Sequence, residues 1–519
     1  MTTKRVLMER VVYRQLTRRE LIIGGGVGVA AALLVGCGRG NSMSSSPTTS
    51  IDAATGLPFS NIKEMRSSNG ILDVELVAAS TMLPWLKAQR FALTYNGSTP
   101  GPTLRVRPGD LLRVKLTNNL DEPTNLHTHG LHVSPSGKSD NPMIMVNPGE
   151  SFTYEFAIPQ NHVAGTFWYH PHHHGLVASQ VLGGMAGVII VEDSVDDSTE
   201  FVEMPERILV LSDPIIGGSA KILKASQQQK MAGREGDLIM VNGVHSPIAN
   251  VRPGSRERWR ILNASPSRYY NLGLTSGSFS QIGTDQGRFA EFLVASRIVL
   301  TPGQRAEVVV DMPTKEGSTL ELFTDSVERG MSMHVDGGMG NMGGMGGMSG
   351  MMSGGATANA EPTRTKLLTF KTEGTPALPV EIPRRIGSER ANPQPTAARD
   401  VSFGAMSMGI GEFVIDGKSF DPERVDISLK MGAVEEWTIT NNSMMMHPFH
   451  LHTWPFTVVA RSDGSNPDPG WRDTVNIPGG SSVTIRIPFE DHSGTTVYHC
   501  HILDHEDLGM MGVINVKPE

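Results

Sequence analysis

His499-Cys500-His501-Ile502-Leu503-Asp504-His505, followed by Met510, is the most informative stretch of this 519-residue chain. Read as the end of a β-strand, it alternates its side chains, so Cys500 points to one face while His499 and His501 point to the other. Three consecutive residues can therefore serve two metal sites on opposite sides of one backbone. On the cysteine face, a thiolate, two imidazoles and a weak axial thioether make a copper electron-transfer centre. Cys500, His505 and Met510 supply three of those four donors. The cluster upstream, His447-Pro448-Phe449-His450-Leu451-His452, can supply the missing imidazole.

On the opposite face, His499 and His501 need partners. The same two-residue period puts His450 and His452 on one side of their strand, and His127 and His129 on one side of theirs. His170 and His172 likewise share a side, although strand parity alone does not exclude His174 of the run His170-Pro171-His172-His173-His174. These eight imidazoles exceed what one ion needs and suit a cluster of several ions. A lone histidine is more often a surface or hydrogen-bonded core residue, and that reading is adopted for His132, His162, His245, His334 and His492. Four paired motifs and a flanked cysteine, in a chain with 17 histidines, form a pattern of another kind.

Around the histidines the chain is a series of short β-branched and aromatic runs broken by turns, in keeping with 57 glycines and 33 prolines. The texture recurs three times, predicting an all-β protein of three consecutive Greek-key β-barrel or sandwich domains over 70–197, 198–330 and 400–519. A Pro-Gly turn opens an apolar strand at Val106-Arg107-Pro108-Gly109-Asp110 and again at Val251-Arg252-Pro253-Gly254-Ser255. The first and third units carry the paired histidines, so the cluster is expected between them, while the second has only His245. Residues 331–399 read as a Met- and Gly-rich linker, in which Met331, Met333, Met339, Met342, Met345, Met348, Met351 and Met352 stand mainly among Gly and Ser.

Residues 1–36 read as a secretory signal, with a basic start and a short Gly-rich apolar run. Thr17-Arg18-Arg19-Glu20-Leu21 is similar to a twin-arginine signal, with Leu21 where Phe is more usual. Leu34-Val35-Gly36-Cys37 is similar to a lipobox, which makes Cys37 the lipidated first residue of an exported chain, periplasmic or on the cell surface. A cleaved signal without lipid, or an uncleaved anchor, is the alternative. Residues 37–69 then form a tether. Lipidation of Cys37 leaves Cys500 without a disulfide partner. The formal net charge of −8 and the lack of a basic patch argue against a nucleic-acid partner.

The motifs Leu126-His127-Thr128-His129-Gly130, Trp168-Tyr169-His170-Pro171-His172, His447-Pro448-Phe449-His450-Leu451-His452 and His499-Cys500-His501 resemble, in order, the four copper signatures of the multicopper oxidases. The resemblance spans roughly 70–519 and implies three cupredoxin domains holding four copper ions. By motif position it places type 1 copper on His447, Cys500, His505 and Met510, and type 2 copper on His127 and His450. It places a coupled type 3 pair on His129, His170, His172, His452, His499 and His501, preferring His172 to His174. The implied reaction takes single electrons from a small reductant and passes them from Cys500 through His499 and His501 to dioxygen. Asp140 and Glu506 stand where relatives carry proton-handling carboxylates. A monomer tethered to the membrane by lipid alone is expected.

Thioethers are soft ligands suited to Cu(I). The methionines of 331–352, with Met406 and Met408 and with Met445 beside His447, resemble those of methionine-rich cuprous oxidases of bacterial copper tolerance. Cu(I) is therefore the expected substrate. Oxidation of phenols or aromatic amines, as by a laccase, is the rival reading. Ser443 departs from the pattern, since relatives carry an acidic residue there. A non-catalytic cupredoxin that shuttles electrons or sequesters copper would need only the Cys500 site or only the methionines.

Overall fold

The computed structural model describes residues 56–519, apart from 86–87, 216–224, 237, 331–361, 384–385 and 406–412. The expected signal, Cys37, most of the tether, and the methionines between Met331 and Met352 lie outside the described residues, as do Met406 and Met408. Among the described residues, no helix is long and apolar enough to cross a membrane.

Three two-sheet sandwiches follow one another, each closed by its own apolar core. In the first, a four-stranded sheet carries Ile71–Trp85 and Leu111–Asn119, and the five-stranded sheet carries Gly165–His170 and His127–His129. Leu111–Asn119 shows why such runs become strands. Leu112, Val114 and Leu116 point inward at every second position, and the residues between face outward. Each of these leucines and valines contributes about 1.5–3 kcal/mol relative to exposure.

The weak repeat seen in the sequence is a topological one. Ile71–Trp85 pairs in parallel with Leu111–Asn119, Glu206–Ser212 with Arg256–Asn263, and Ala397–Ala405 with Val434–Asn441. In the first two sandwiches the second strand of the pair follows its Pro-Gly turn. The facing sheets repeat a second parallel pair: Thr103–Val106 with Gly187–Val191, Ile248–Val251 with Arg364–Thr372, and Ile427–Lys430 with Met511–Lys517.

One expected boundary is corrected by this pairing. The stretch 331–399, read as a linker, contains the strand Arg364–Thr372, which completes the second sandwich by pairing with both Ile248–Val251 and Thr319–Asp325. Leu367, Leu368 and Phe370 are buried there, and Phe370 stacks on Trp259 with ring centroids 4.6 Å apart. The Gly and Met bias of the preceding residues masks this short apolar run in a composition-based reading.

The short helix Leu503–Asp507 locks the end of the cysteine strand to the rest of the body. Asp504 accepts a forked pair of hydrogen bonds from Arg234 of the second sandwich. Asp507 accepts from the backbone N–H groups of Gly175, Val177 and Ala178 in the first. His505 is thus held between two anchored carboxylates.

Candidate metal centre

The strand Gly494–Cys500 lies antiparallel to His447–Leu451, with Phe449 opposite Cys500 and His450 opposite His499. That register brings His447 to the cysteine face. Its Nδ1 lies 3.4 Å from Cys500 Sγ, and Nδ1 of His505 lies 3.8 Å from the same sulfur and 3.2 Å from His447 Nδ1. The far nitrogens are engaged elsewhere: His447 Nε2 donates to Ser443 Oγ at 2.9 Å, and His505 Nε2 donates to the Met231 carbonyl at 3.1 Å. Both Nδ1 atoms are therefore free to face the sulfur as lone pairs. Met510 is fully buried in the same core, its N–H on the His505 carbonyl and its carbonyl on the Cys500 N–H. Phe413 stacks on the His505 ring at 3.9 Å. Burial pushes the Cys500 thiol well up and lowers His447 to about 3, so a cation here would displace the thiol proton and meet neutral imidazoles.

The eight paired histidines converge on the other side of the same strand, all buried. Histidines from the two ends of the chain stack face to face. His127 lies over His452 and His129 over His450, each with centroids 3.8 Å apart. Their nitrogens divide into two sets. Nδ1 of His127, His170, His450 and His499 bonds to Asp140 or to a backbone carbonyl, and Nε2 of His129 bonds to Asp473. The opposite nitrogens of His127, His129, His170 and His450, and both nitrogens of His501, are buried with no hydrogen-bond partner. Nε2 of His499 lies 3.2 Å from Nε2 of both His172 and His452.

These spacings fit metal ions. Nitrogens bound at about 2.0 Å to one tetrahedral ion are separated by about 3.3 Å, close to the two separations around His499. Partnerless ring nitrogens inside a protein are costly, and a shared cation satisfies several together. Burial, reinforced by neighbouring imidazoles, holds His127, His129, His170, His452, His499 and His501 well below the ordinary imidazole value. His172 falls to about 3 by burial, and His450 to about 4 by burial opposed by Asp473. A site of neutral imidazoles is a ligand set, not an anion trap.

Two carboxylates named from the sequence border this cluster. Asp140 Oδ1 lies 2.9 Å from His127 Nδ1 and accepts the Thr128 N–H at 2.8 Å, and burial pushes its carboxyl up to about 7. Glu506 has both oxygens buried, 3.4 Å from His172 Nε2 and 3.2 Å from His499 Nδ1, and burial followed by the Asp507 charge raises it well above the carboxylate range. Outside the cluster stand His174, whose ring lies against Phe420, and His132, His162 and His492, which form a separate group. Met445 packs into the third core, while Met444 is 77% exposed and Met446 Sδ accepts from Asn476.

Asp473 and Gly303 also touch the cluster, Arg305 and Gln286 bond to Asp473, and none of the four was singled out from the sequence. Asp473 accepts from His129 Nε2 at 3.0 Å through Oδ1 and from His450 Nδ1 at 2.8 Å through its backbone carbonyl. The only local signal was a carboxylate beside the buried strand Thr474–Ile477, too common to single out.

Comparison with known proteins agrees with this arrangement. Three family models, each described as multicopper oxidase, match residues 77–196, 206–319 and 390–519. A multicopper oxidase of Staphylococcus haemolyticus is 31% identical over 435 residues, covering 82% of this chain and 83% of the relative. The structure of a multicopper oxidase from Campylobacter jejuni, described as a metallo-oxidase, superposes with a TM-score of 0.75 at 28% identity, covering 90% of this chain and 96% of that one. A laccase from Pediococcus acidilactici superposes at 0.73 with 26% identity, covering 89% and 94%. With three family domains in order and copper-type donor sets at their junction, the chain belongs to the multicopper oxidase family and is an oxidoreductase that uses copper.

Proposed function

We propose that the chain holds four copper ions and couples single-electron oxidation of a reductant, foremost Cu(I), to reduction of dioxygen to water. The observation that carries the reading is the set of partnerless ring nitrogens converging behind Cys500. In this reading His447, Cys500, His505 and Met510 hold a type 1 ion, and His127 and His450 a type 2 ion. Of the type 3 pair, His172, His452 and His499 serve one ion and His129, His170 and His501 the other. The bound coppers supply the redox chemistry.

The protein's own groups do the rest. Cys500 is covalently continuous with His499 and His501, giving electrons a short path from one face of the strand to the other. Asp140, raised by burial to about 7, and Glu506, raised by burial well above the ordinary carboxylate value, would hold protons beside His127, His172 and His499, where dioxygen reduction would consume them. The buried walls exclude bulk water from the cluster.

The placement of residues 329–330 supports Cu(I) as substrate. The Arg329 carbonyl accepts the Met446 N–H at 2.7 Å, and Gly330 packs so closely on the Met444 carbonyl that a side chain there would overlap it. Gly330, the last described residue before the methionine-rich segment, therefore lies against Met444 and Met445, close in sequence to His447. In this reading Met331, Met333, Met339, Met342, Met345, Met348, Met351 and Met352 would gather Cu(I). Oxidation of phenols is the second reading, favoured by the likeness to the Pediococcus laccase. The N-terminal sequence supports export and lipid anchoring at Cys37, and nothing in the sequence calls for a partner subunit.

Deletion of 331–355 tests the substrate. Oxygen uptake driven by Cu(I) should fall while copper content and phenol turnover persist. Unchanged Cu(I)-driven uptake would assign the activity to phenols. A single tightly bound copper per wild-type chain, without oxygen uptake, would leave an electron shuttle.

A further inference from the structure

Among the described residues the second sandwich contributes no candidate metal ligand, yet it forms one wall of the histidine cluster. The turn at Thr301–Gln304 presses against it. Gly303 has φ +85°, and a Cβ there would lie 2.9 Å from His501 Nε2 and 3.1 Å from His129 Cε1. Gln304 extends the same docking, since its Nε2 donates to the Thr474 carbonyl at 3.0 Å. Only glycine gives this turn both its conformation and its approach to two rings.

Arg305 follows directly, with its side chain fully buried. All five of its N–H donors have partners. Nε donates to the Thr166 carbonyl of the first sandwich at 2.9 Å. Nη1 donates to the Gly303 carbonyl at 3.1 Å and to Asp473 Oδ1 at 2.8 Å. Nη2 donates to the Asp285 carbonyl at 2.7 Å and to Asp473 Oδ2 at 2.6 Å. Gln286 adds a further donor to Asp473 Oδ2 at 2.8 Å. One guanidinium thus joins all three sandwiches and fixes Asp473 by two parallel bonds, a geometry that lysine cannot reproduce.

Asp473 passes this constraint on. Its Oδ1 accepts from His129 Nε2, which leaves His129 Nδ1 as the lone-pair nitrogen, and its carbonyl accepts from His450 Nδ1, which leaves His450 Nε2. Both freed nitrogens are among the buried ones without a partner. We propose that Arg305 is a positioning residue for the metal cluster, acting through Asp473 to set the tautomer and orientation of His129 and His450. The ligand-free domain would then govern copper retention at the type 2 and type 3 positions. This rests on the four-copper reading above. The cysteine-face site makes no contact with Arg305, which gives the proposal an internal control.

Full-length Arg305→Lys and Arg305→Gln, loaded with copper beside the wild type, test it. The readouts are copper per chain during chelator challenge, the thiolate-to-copper absorption band, and the type 2 paramagnetic resonance signal. Loss of an outer-shell partner costs about 10–100-fold in metal affinity. Both variants should keep the thiolate band, change the type 2 signal, and release cluster copper about 10–100-fold more readily, Arg305→Gln more than Arg305→Lys. If Arg305→Gln fails to fold, Arg305→Lys carries the test. Wild-type copper retention with an unaltered type 2 signal in a folded variant overturns the proposal. So does loss of the thiolate band together with the cluster copper in Arg305→Lys, which would make Arg305 a general fold element. A wild type without cluster copper overturns the four-copper reading itself, and this proposal with it.

Discussion

Glu506 Oε2 lies 3.2 Å from His499 Nδ1, and neither carboxylate oxygen of Glu506 has a hydrogen-bond partner. Its other oxygen reaches toward His172 at 3.4 Å. In the proposed reading, a buried carboxyl between two rings of one candidate ion would hand over a proton.

Glu506→Gln keeps the shape and removes the proton source. Oxygen uptake should fall by about 10²–10⁴-fold, the usual worth of a positioned acid or base. Copper content and the thiolate band should stay at wild-type levels. Steady-state oxygen consumption under saturating reductant checks this, and undiminished turnover would remove Glu506 from the proton path.

Ser443→Ala leaves His447 Nε2 as a buried donor without its 2.9 Å acceptor. The same hydroxyl also donates to Asn441 Oδ1 and accepts the Met445 N–H, so the turn before His447 loosens with it. Stability should drop by about 1–3 kcal/mol, and the type 1 reduction potential should shift because the ring is no longer held. Denaturant unfolding and a spectroelectrochemical titration measure the two effects separately.

Met510→Leu removes the thioether and keeps the volume. A weak axial donor favours Cu(II) over Cu(I), so its loss should raise the type 1 potential. The packing cost of this swap is small, below about 1.5 kcal/mol. A redox titration of the thiolate band that showed no rise would displace Met510 from the axial role.

The copper-free protein should lose stability in acid. Burial lowers His162, His172 and His447 to about 3 and His132 and His450 to about 4, against an ordinary value of 6.5. Between those values the unfolded chain binds protons that the folded chain refuses, so stability present above pH 6.5 drains away as the pH falls toward 4. Asp140, Asp285 and Asp507, raised to about 7, and Asp213 and Glu506, also raised by burial, act in the opposite direction. The eight cluster imidazoles with His132, His162, His447 and His505 outnumber them, so the net slope follows the histidines. Guanidinium midpoints at several pH values read this, and a midpoint constant from pH 6.5 to 4 would contradict it.

The parts legible in the sequence were those governed by local geometry. Side-chain direction alternates along a strand, so His499 and His501 could be separated from Cys500 without knowing any partner. His172 is a different case: the strand ends at His170, parity no longer applies, and only the family pattern chose it over His174. Asp473 and Arg305 stand 168 positions apart, and no periodicity links an arginine of the ligand-free sandwich to a carboxylate of the third. The strand Arg364–Thr372 was hidden for a compositional reason, since a short apolar run after a long Gly- and Met-rich one carries little signal of its own.

The stacking of His127 on His452 and of His129 on His450 has a consequence for biosynthesis. A growing chain that has made only the first sandwich presents His127, His129, His170 and His172 without their partners from the third. No chain shorter than 501 residues brings the eight cluster histidines together, because His501 closes the set. In the four-copper reading, metal capture at the cluster would therefore follow docking of the third sandwich. A ribosome-stalled or clipped product would expose half a metal site, open to whichever ion came first.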